Sequence, residues 1–390
     1  MKRAFCYLSI AASIIISTEV CGQSVTSPQA TTTLSQAKDT GPPGSARPGW
    51  EQRWNEIVLA AKKEGAVLIY FAPNPTIQKN LGEAFKQEYG INLEFVAGRG
   101  AAISEKIFSE RRAGLYLGDV IIQGYTAQFI FKPQNVLQPL DPLLVLPEVT
   151  DPKNWMDGAS PFLDEDHTIV SFIRSVEHVV MRNTELVKEG ELKSYYDLLL
   201  PRWQGHIVMG DPTIAGVAQS WFLLMLERIL GMEKGADYMR QLVKQEPVIT
   251  REDRVGVEGV ARGKYSLAVG LHPPTVAEFR RMGAPVEPVR MKEGTPTTSS
   301  MGTVSVLTKN AHPNATIVFL NWLLTKEGQT VFSQSLKMPS ARIDVPTTGL
   351  DPYYIRQPGE KIFSNYEAEL AQLKGKMAPM TKEIFAPLLK

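Results

Sequence analysis

The sequence predicts an α/β protein built from two units, each with its own core. From Trp50 onward, short apolar runs alternate with stretches whose apolar residues recur at helical spacing. The chain has 390 residues, whereas a single core stops growing near about 250–300 residues. Strands that alternate with helices are joined by right-handed crossovers, so we expect a mainly parallel sheet flanked by helices in each unit.

The elements of the first unit follow from the alternation between strand-like and helix-like spacing of the apolar residues. Trp50, Trp54 and Ile57 recur at helical spacing, and Gly65 ends that helix. Residues 66–71 are almost entirely apolar, as in a strand that is buried on both faces. The pattern then predicts a helix that Gly90 ends, a strand over 92–97, a helix over 101–113 and a strand over 119–122.

Two strand-like segments then follow each other with no helix between them, at 168–172 and 176–181. They are candidates for chain that crosses from one unit to the other.

Beyond them the alternation of strands and helices restarts, and the final segment is mainly helical after Pro358. The pattern predicts helices over 195–200, 218–245, 275–282 and 315–324, and strands over 206–209, 265–269 and 303–307.

Charge and cysteine content exclude several classes of function. With 42 basic and 41 acidic residues the net charge is +1, which provides no field for gathering nucleic acid. Both cysteines, Cys6 and Cys21, precede the folded body, so that body has no disulfide framework and no thiolate metal site. The five histidines are scattered without helical zinc spacing. We expect no cofactor and no metal ligands.

The N-terminus has the pattern of an export signal over residues 1–21. Lys2 and Arg3 precede a mostly apolar stretch from Ala4 to Ile16. That stretch is shorter than the roughly 20 apolar residues of a membrane-spanning helix, although a permanent membrane anchor is the alternative. We therefore expect an exported protein, in the periplasm or on the outer face of the cell membrane.

A polar tract over residues 22–49 follows the signal. It is rich in Ser, Thr, Gln, Pro and Gly and cannot bury a core, so it predicts a disordered tether. A cysteine at the end of the signal, Cys21, followed by such a tether resembles a bacterial lipoprotein, in which acyl chains on the cysteine hold the protein at the membrane. Glu19 and Val20 depart from the small residues usual before that cysteine.

Four stretches, residues 119–122, 196–205, 206–213 and 311–329, resemble parts of one known family, the solute-binding proteins of ABC importers, in the branch that includes ferric-iron, thiamine and phosphonate binders. Residues 119–122 resemble the family's Gly-Asp-Val strand, and residues 196–205 resemble its Asp-Leu-Leu to Trp-Lys-Gly stretch. Residues 206–213 are similar to the strand and Asp-Pro-Thr turn that come next. Residues 311–329 resemble the family's helix that ends in Lys-Glu-Gly-Gln.

The resemblance implies a two-lobed periplasmic-binding-protein fold of type II, joined by crossing hinge strands. Its first lobe would contain residues 50–172 and about 300–345, its second lobe residues 173–299, with a C-terminal helical segment over 346–390 packed on both. It also implies a monomer that closes over a small, anionic solute, delivers it to the permease of an ABC importer and catalyses nothing.

Candidate ligand-binding residues lie where strands end and helices begin, because free N–H groups there favour anions. Asn74 and Thr76 follow the first strand, with plain helix capping as the alternative. Arg99, Gly100 and Ala101 follow the second, where a glycine lets the backbone approach closely and the arginine offers a five-donor fork, unless it is a solvated surface residue. Gln123 and Tyr125 follow the third, where an ordinary turn is the alternative.

The second unit offers four further candidates. Asp211 and Thr213 end a strand before a helix, where Asp211 alternatively caps the helix. Arg174 lies at the inferred hinge, with a surface ion pair as the alternative. His272 ends the next strand, directly before Pro273 and Pro274.

The residues after His272 argue against a bare ferric site. In ferric-binding relatives a tyrosine pair occupies the matching strand end, and Fe³⁺ needs such anionic oxygens, which prolines do not supply. The pair Tyr195-Tyr196 falls in a helical stretch, and Tyr353-Tyr354 falls in the tail, away from the matched loops. We expect both pairs to pack rather than to coordinate a metal ion.

Two other functions compete with import. An exported hydrolase would need a nucleophile beside a base, and the chain has no Gly-x-Ser-x-Gly, no Gly-x-x-x-x-Gly-Lys and no His-Glu-x-x-His. A binding protein that reports its solute to a membrane receptor would have the same cleft. Neighbouring genes for a permease and an ATPase distinguish an importer from a sensor.

Overall fold

The strand–helix alternation predicted for the first unit is present, with element ends within a few residues of those expected. A computed structural model of the chain describes residues 49–98, 100–124, 130–214, 216–364 and 368–389. The helices of eight or more residues within these ranges are α1 Trp50–Glu64, α2 Pro75–Tyr89, α3 Gly100–Arg112, α4 Val217–Leu224, α5 Met232–Val243, α6 Asp253–Ala261, α7 Pro273–Arg281, α8 Pro313–Leu324, α9 Lys326–Leu336 and α10 Ala368–Phe385.

The strands fall into three sheets. In chain order they are β1 Ala66–Phe71, β2 Asn92–Ala97, β3 Val120–Gln123, β4 Leu137–Gln138, β5 Val170–Ser171, β6 Ser175–Val176, β7 Val180–Asn183, β8 Ile207–Gly210, β9 Val248–Thr250, β10 Leu267–Val269, β11 Val286–Val289, β12 Thr295–Thr298, β13 Thr303–Leu307 and β14 Ile362–Ser364. The first sheet has the order β2-β1-β3-β13-β4, with β5 also paired to β13, and the second has the order β11-β7-β10-β8-β9.

Each large sheet has a parallel part that the sequence pattern predicts and an antiparallel part that it does not. Strand β1 pairs in parallel with β2 and β3, and β8 pairs in parallel with β9 and β10. The returning strand β13 runs antiparallel to β3, β4 and β5, while β7 runs antiparallel to β10 and β11. The sheets are therefore mixed, because β7 and β13 enter from segments that cross between units rather than from helical crossovers.

Each large sheet is covered by its own helices, and we call each sheet with its helices a lobe. Helices α1, α2, α8 and α9 share one buried apolar cluster with the first sheet, and α3 packs in a second cluster on that sheet. Helices α4, α5 and α10 share a cluster with the second sheet, and α6 and α7 cover its other face. The C-terminal helix α10 thus packs on the second lobe, through Met377, Ile384 and Phe385 among others.

A third, small sheet joins the segments that run between the lobes, in the order β14-β12-β6. Thr297 of β12 pairs with Val176 of β6, and Thr298 pairs with Ser175, in antiparallel register. Strand β14 adds a parallel partner to β12. The prediction that adjacent strand-like segments near 168–181 carry the chain between the units is thus matched by short strands, β5, β6 and β7.

Other element predictions need correction. The helix predicted over 218–245 is interrupted: α4 continues as a π-helix over Met225–Ile229, and Gly231, with φ 84°, starts α5. Residues Tyr195–Leu199 form a 3₁₀-helix, begun by a Ser194–Asp197 capping box. The tail contains strand β14 before its helix.

In the described part of the chain, none of the helices combines the length and apolar character that a membrane crossing requires.

The buried imidazole of His178, two residues after the end of β6, predicts how stability depends on pH. Burial, and then the charge of Arg290, lowers the pKa of His178 to about 3. Between pH 6.5 and 3 the unfolded chain therefore binds one proton more than the folded chain, so this residue's contribution is lost as the pH falls. We expect His178→Leu to remove a slope of up to about 1.4 kcal/mol per pH unit.

Urea unfolding of both proteins at pH 7, 6 and 5 measures this slope, because the titration of every other group is common to the two. A free energy of unfolding that falls equally with pH in both proteins would contradict the assignment.

Candidate functional site

Three strand ends meet at one edge of the second sheet. Strand β8 lies between β10 and β9 and runs parallel to both, so the carboxyl ends of the three strands, and the residues after them, lie at one edge. Asp211 follows β8, Arg251 follows β9, and His272 comes after β10. This is the edge at which ligands bind in α/β sheets.

Asp211 holds the other polar groups of this edge in place. One of its carboxylate oxygens accepts hydrogen bonds from the Thr213 amide at 2.9 Å and the Thr213 hydroxyl at 2.6 Å, and the other accepts from Arg251 Nε at 2.9 Å. Burial alone would raise the pKa of Asp211, but these hydrogen bonds outweigh it and the net shift is downward. Asp211 therefore orders the turn, and the Thr213 hydroxyl is already engaged as a donor.

His272 occupies the N-cap position of α7 without capping it through its side chain. Its amide donates to Asp253 Oδ1 at 3.0 Å, which links it to the start of α6. The ring is open to an adjacent cavity, yet the surrounding protein partly excludes water and lowers the pKa of His272, against an opposing effect of the Asp253 charge. At neutral pH the imidazole is therefore largely uncharged.

Among the candidates of the first lobe, Gln123 has the most distinctive environment. Its side chain is 4% exposed, and its Nε2 has no hydrogen-bond partner among the described residues. Its carbonyl accepts from the Thr303 hydroxyl at 2.8 Å. A Cβ added at Gly124 would lie 2.7 Å from the Ser300 carbonyl oxygen, so this strand end presses against the returning chain and needs glycine there.

The other described candidates have local roles in the structure. Asn74 caps α2, its Oδ1 accepting from the Ile77 amide at 3.1 Å, and Thr76 is exposed in the first turn. Gly100 begins α3 with φ 48°. Arg174 lies 3.4 Å from the Asp157 carboxylate, which also binds Arg356 at 2.6 Å. The alternatives of a helix cap and an ion pair are thus realised for Asn74 and Arg174.

Some candidates remain predictions without structural detail. Arg99, Tyr125 and Cys21 lie outside the described residues. Ala101 is described only as a backbone position in the first turn of α3.

A cavity of about 930 Å³ lies between segments of the two lobes, within the size range of small-molecule sites. His272 and Arg281, at the two ends of α7, line it from the second lobe. Ser300, before β13, and Lys337, after α9, line it from the other side. Of the predicted ligand-binding residues, His272 contributes to this lining, and Gln123 adjoins it through the contact of Gly124 with Ser300.

The cavity wall has an excess of positive charge. Arg281 and Lys337 are exposed, and neither forms an ion pair with another described residue. Arg280, also in the wall, is neutralised by Asp351, whose carboxylate lies 2.6 Å from its guanidinium. Two uncompensated cations from opposite walls favour an anion between them.

The tyrosine pair Tyr353-Tyr354 corrects one sequence expectation. We expected it away from the matched loops, but Tyr354 lines the cavity together with His272. Tyr353 packs between two cations, with Arg280 4.5 Å and Arg290 5.5 Å from the ring centroid. Tyr195 is 1% exposed and donates to the Gly294 carbonyl at 3.1 Å, so Tyr195 packs as expected, whereas its neighbour Tyr196 is 47% exposed.

Sequence reasoning missed most of the cavity wall, because Arg281, Lys337 and Tyr354 reach it through contacts distant in the chain. Lys337 ends α9 in the left-handed conformation, with φ 61°, and no sequence pattern places that turn at the cavity.

Among the described residues, no three His, Cys, Asp or Glu side chains converge in a way that would hold a metal ion.

Comparison with known proteins agrees with this architecture. The family of bacterial extracellular solute-binding proteins matches residues 80–356. An uncharacterised protein of Haemophilus influenzae is 24% identical over 280 residues, covering 69% of this chain and 76% of that protein.

Three solved structures share the fold. The periplasmic binding protein AfuA of Actinobacillus pleuropneumoniae, with fructose-6-phosphate bound, has a TM-score of 0.58 at 20% identity, over 82% of this chain and 99% of AfuA. FutA of Trichodesmium, with iron and citrate, gives 0.64 at 20% identity, over 83% and 99%. The ferric-iron-binding protein A of Mannheimia haemolytica, in an open conformation, gives 0.64 at 14% identity, over 82% and 98%.

These matches identify the class: a two-lobed solute-binding protein with the type II periplasmic fold. Because the family match spans most of the folded body, the chain belongs to the bacterial extracellular solute-binding protein family. Membership of an extracellular family fits export of the chain.

Substitutions at Asn74 separate helix capping from ligand binding. Asn74→Ala removes the oxygen that accepts from the Ile77 amide and should lower the free energy of unfolding by about 1 kcal/mol, whereas Asn74→Asp, which also caps, should retain it. Urea unfolding measures both. If Asn74→Ala unfolds at the same urea concentration as the wild type, the cap contributes nothing and the residue is available for another role.

Proposed function

We propose that this protein captures a small anionic solute in the cavity between its lobes and delivers it to an ABC-type importer, without altering it chemically. The observation that carries the proposal is the pair of exposed cations, Arg281 and Lys337, on opposite walls of the cavity. An anion held between them would attract both walls, and this attraction favours closure of the lobes.

Two relatives support an anionic solute. The AfuA structure holds fructose-6-phosphate and the FutA structure holds iron with citrate, and phosphate esters and citrate are both anions. In this chain Arg281 supplies a planar fork of donors for a carboxylate or phosphate group, and Lys337 supplies a mobile point charge. Gln123 Nε2, a donor without a described acceptor, is a further candidate contact once the lobes close.

The remaining parts of the proposal concern location and assembly. We place the protein outside the cytoplasm, tethered by residues 22–49 and held at the membrane by a lipid on Cys21. A monomer suffices, because both walls of the cavity come from one chain. The residues Arg99, Gly100, Ala101 and Tyr125 remain candidates for the wall of the first lobe.

A thermal-shift screen tests the proposal. Phosphonates, carboxylates, sugar phosphates and ferric citrate are compared with neutral sugars. An anion at 100 times its dissociation constant should stabilise the folded protein by about 2.7 kcal/mol, a shift that is readily measured. Stabilisation by neutral sugars alone, with none from any anion, would contradict the proposal.

Charge removal on either wall should weaken the binding of an anionic ligand found in that screen. We expect Lys337→Gln and Arg281→Gln each to raise the dissociation constant about 5- to 30-fold, because each removes one charge-assisted hydrogen bond to the anion. Lys326→Gln is the matched control, since Lys326 lies at the opposite end of α9 and lines a different surface pocket. Isothermal titration calorimetry gives the three constants, and equal weakening by all three substitutions would indicate a general charge effect instead.

A further inference from the structure

Residues 351–360, which we call the strap, run along the boundary between the two lobes. Asp351 and Tyr354, near the start of the strap, line the cavity. The strap then leads into β14, which pairs with β12 in the small sheet between the lobes. It is therefore a further length of chain at this boundary, beside the segments that carry β6 and β12.

Two carboxylates of the strap bind arginines of the second lobe. Asp351 Oδ2 accepts from Arg280 Nη1 of α7 at 2.6 Å, and its Oδ1 accepts from the Tyr353 amide at 3.0 Å, which caps the short 3₁₀-helix that follows. Glu360 binds Arg290, the residue after β11, at 2.6 Å. The two oxygens of Asp351 thus have separate roles, because one orders the strap itself and the other fastens it to α7.

Other side chains of the strap contact the first lobe. Tyr354 is 8% exposed and belongs to the apolar cluster of that lobe. Arg356 Nη1 lies 2.6 Å from the carboxylate of Asp157, which comes two residues after Trp155 of the same cluster. Neighbouring side chains of the strap therefore hold different lobes.

We propose that the strap is a latch that holds the lobes in the arrangement of this structure, and that rotation of the lobes requires the contact between Asp351 and Arg280 to release. Tyr354 is anchored in the first lobe, whereas Arg280 is fixed in a helix of the second lobe. Rotation about the small sheet changes the distance between them, and a hydrogen bond is lost once its donor and acceptor are more than about 3.5 Å apart. The latch does not depend on which solute the cavity takes.

The environment of this ion pair makes it stronger than an ordinary surface pair. The side chains of Arg280 and Asp351 are 22% and 20% exposed, so solvent and salt screen them less than an exposed pair. A pair on the same helix that stays within the second lobe, Arg254 with Glu278, is 60% and 44% exposed. Exposed pairs of that kind contribute little. The contact that spans the lobes is thus the one expected to bias their arrangement.

Distances between the lobes, measured without any solute, test the latch. Lys79→Cys and Val255→Cys place spin labels at exposed positions of α2 and α6, in a chain in which Cys6→Ser and Cys21→Ser leave no other thiol. Double electron–electron resonance then gives the distribution of distances between the labels, in which we expect one dominant distance. Asp351→Asn, which can still cap the turn, should raise the ratio of all other distances to that one about 5- to 30-fold, because it removes a charge-assisted hydrogen bond.

Three further variants separate the latch from indirect effects. Glu278→Gln is the matched control, since it removes a carboxylate that binds Arg254 at 2.8 Å within the second lobe, and it should leave the distribution unchanged. Arg356→Gln loosens the strap from the first lobe and should shift the distribution in the same direction as Asp351→Asn, because a latch has to hold both lobes. Arg280→Gln combined with Asp351→Asn should shift it no further than the larger single change, since both remove one contact.

An unchanged distance distribution in Asp351→Asn, with the circular dichroism spectrum of the wild type, would overturn the latch. An equal shift in Glu278→Gln would also overturn it, because the shift would then be a general effect of charge. If Asp351→Asn does not fold, Arg356→Gln decides the question in the same way. None of these samples contains a solute, so each outcome is distinct from failure of the proposed anion capture, which the thermal-shift screen decides.

Discussion

The antiparallel pairing of β6 with β12 is the constraint on which the rest of the structure depends. These two short strands belong to segments that run between the lobes, and the register sets Val176 against Thr297 and Ser175 against Thr298. The next residue after β6 is Glu177, and Ser300 comes two residues after β12. The pairing therefore brings Glu177 and Ser300 close to each other, although about 120 residues separate them in the chain.

Residues 351–360 of the C-terminal segment also stabilise the region where the chain crosses between the lobes. Asp351 binds Arg280 of α7, and Glu360 binds Arg290 at 2.6 Å, while the Tyr353 ring lies between these two arginines. Tyr354, the next residue, belongs to the apolar cluster of the first lobe. The segment thus contacts both lobes beside the cavity. Partly buried, geometrically constrained pairs of this kind hold a position better than exposed ion pairs, which are worth little.

The two lobes contribute different chemistry to the site. In the second lobe, parallel strands end at one edge, and Asp211 uses both of its oxygens to order Thr213 and Arg251 there. Of the predicted residues at that edge, His272 lines the cavity. The wall opposite His272 comes from the turn after α9 and from the chain that enters β13, so its position depends on how the lobes are arranged. A site divided in this way suits a protein that holds its solute by closing, because neither wall completes the set of contacts alone.

The sequence predicts the local elements well and the long-range contacts poorly. The strand over 66–71 follows from its run of apolar residues. The end of the next helix follows from Gly90, because glycine readily takes up the left-handed conformation in which a helix ends. The edge strand β11 was missed, since Pro288 argues against a strand, and proline is tolerated there only because the strand lies at the sheet edge. His272 was found because it ends a strand in a matched motif.

Lys337 and Arg281 were not found, because nothing local distinguishes them from solvated charges. Arg281 and Lys337 reach the cavity from two separate helices, α7 and α9, and they lie more than 50 residues apart in the chain. Tyr354 shows the same limit: its position in the tail gave no sign that the chain returns to the cavity.

The most direct test of the account is a crystal structure of the mature protein grown with a saturating anion from the thermal-shift screen. We predict a closed form in which the anionic group lies between Arg281 and Lys337, with His272 in contact with the solute. A structure with the solute bound at another surface and this cavity occupied by water would contradict the account.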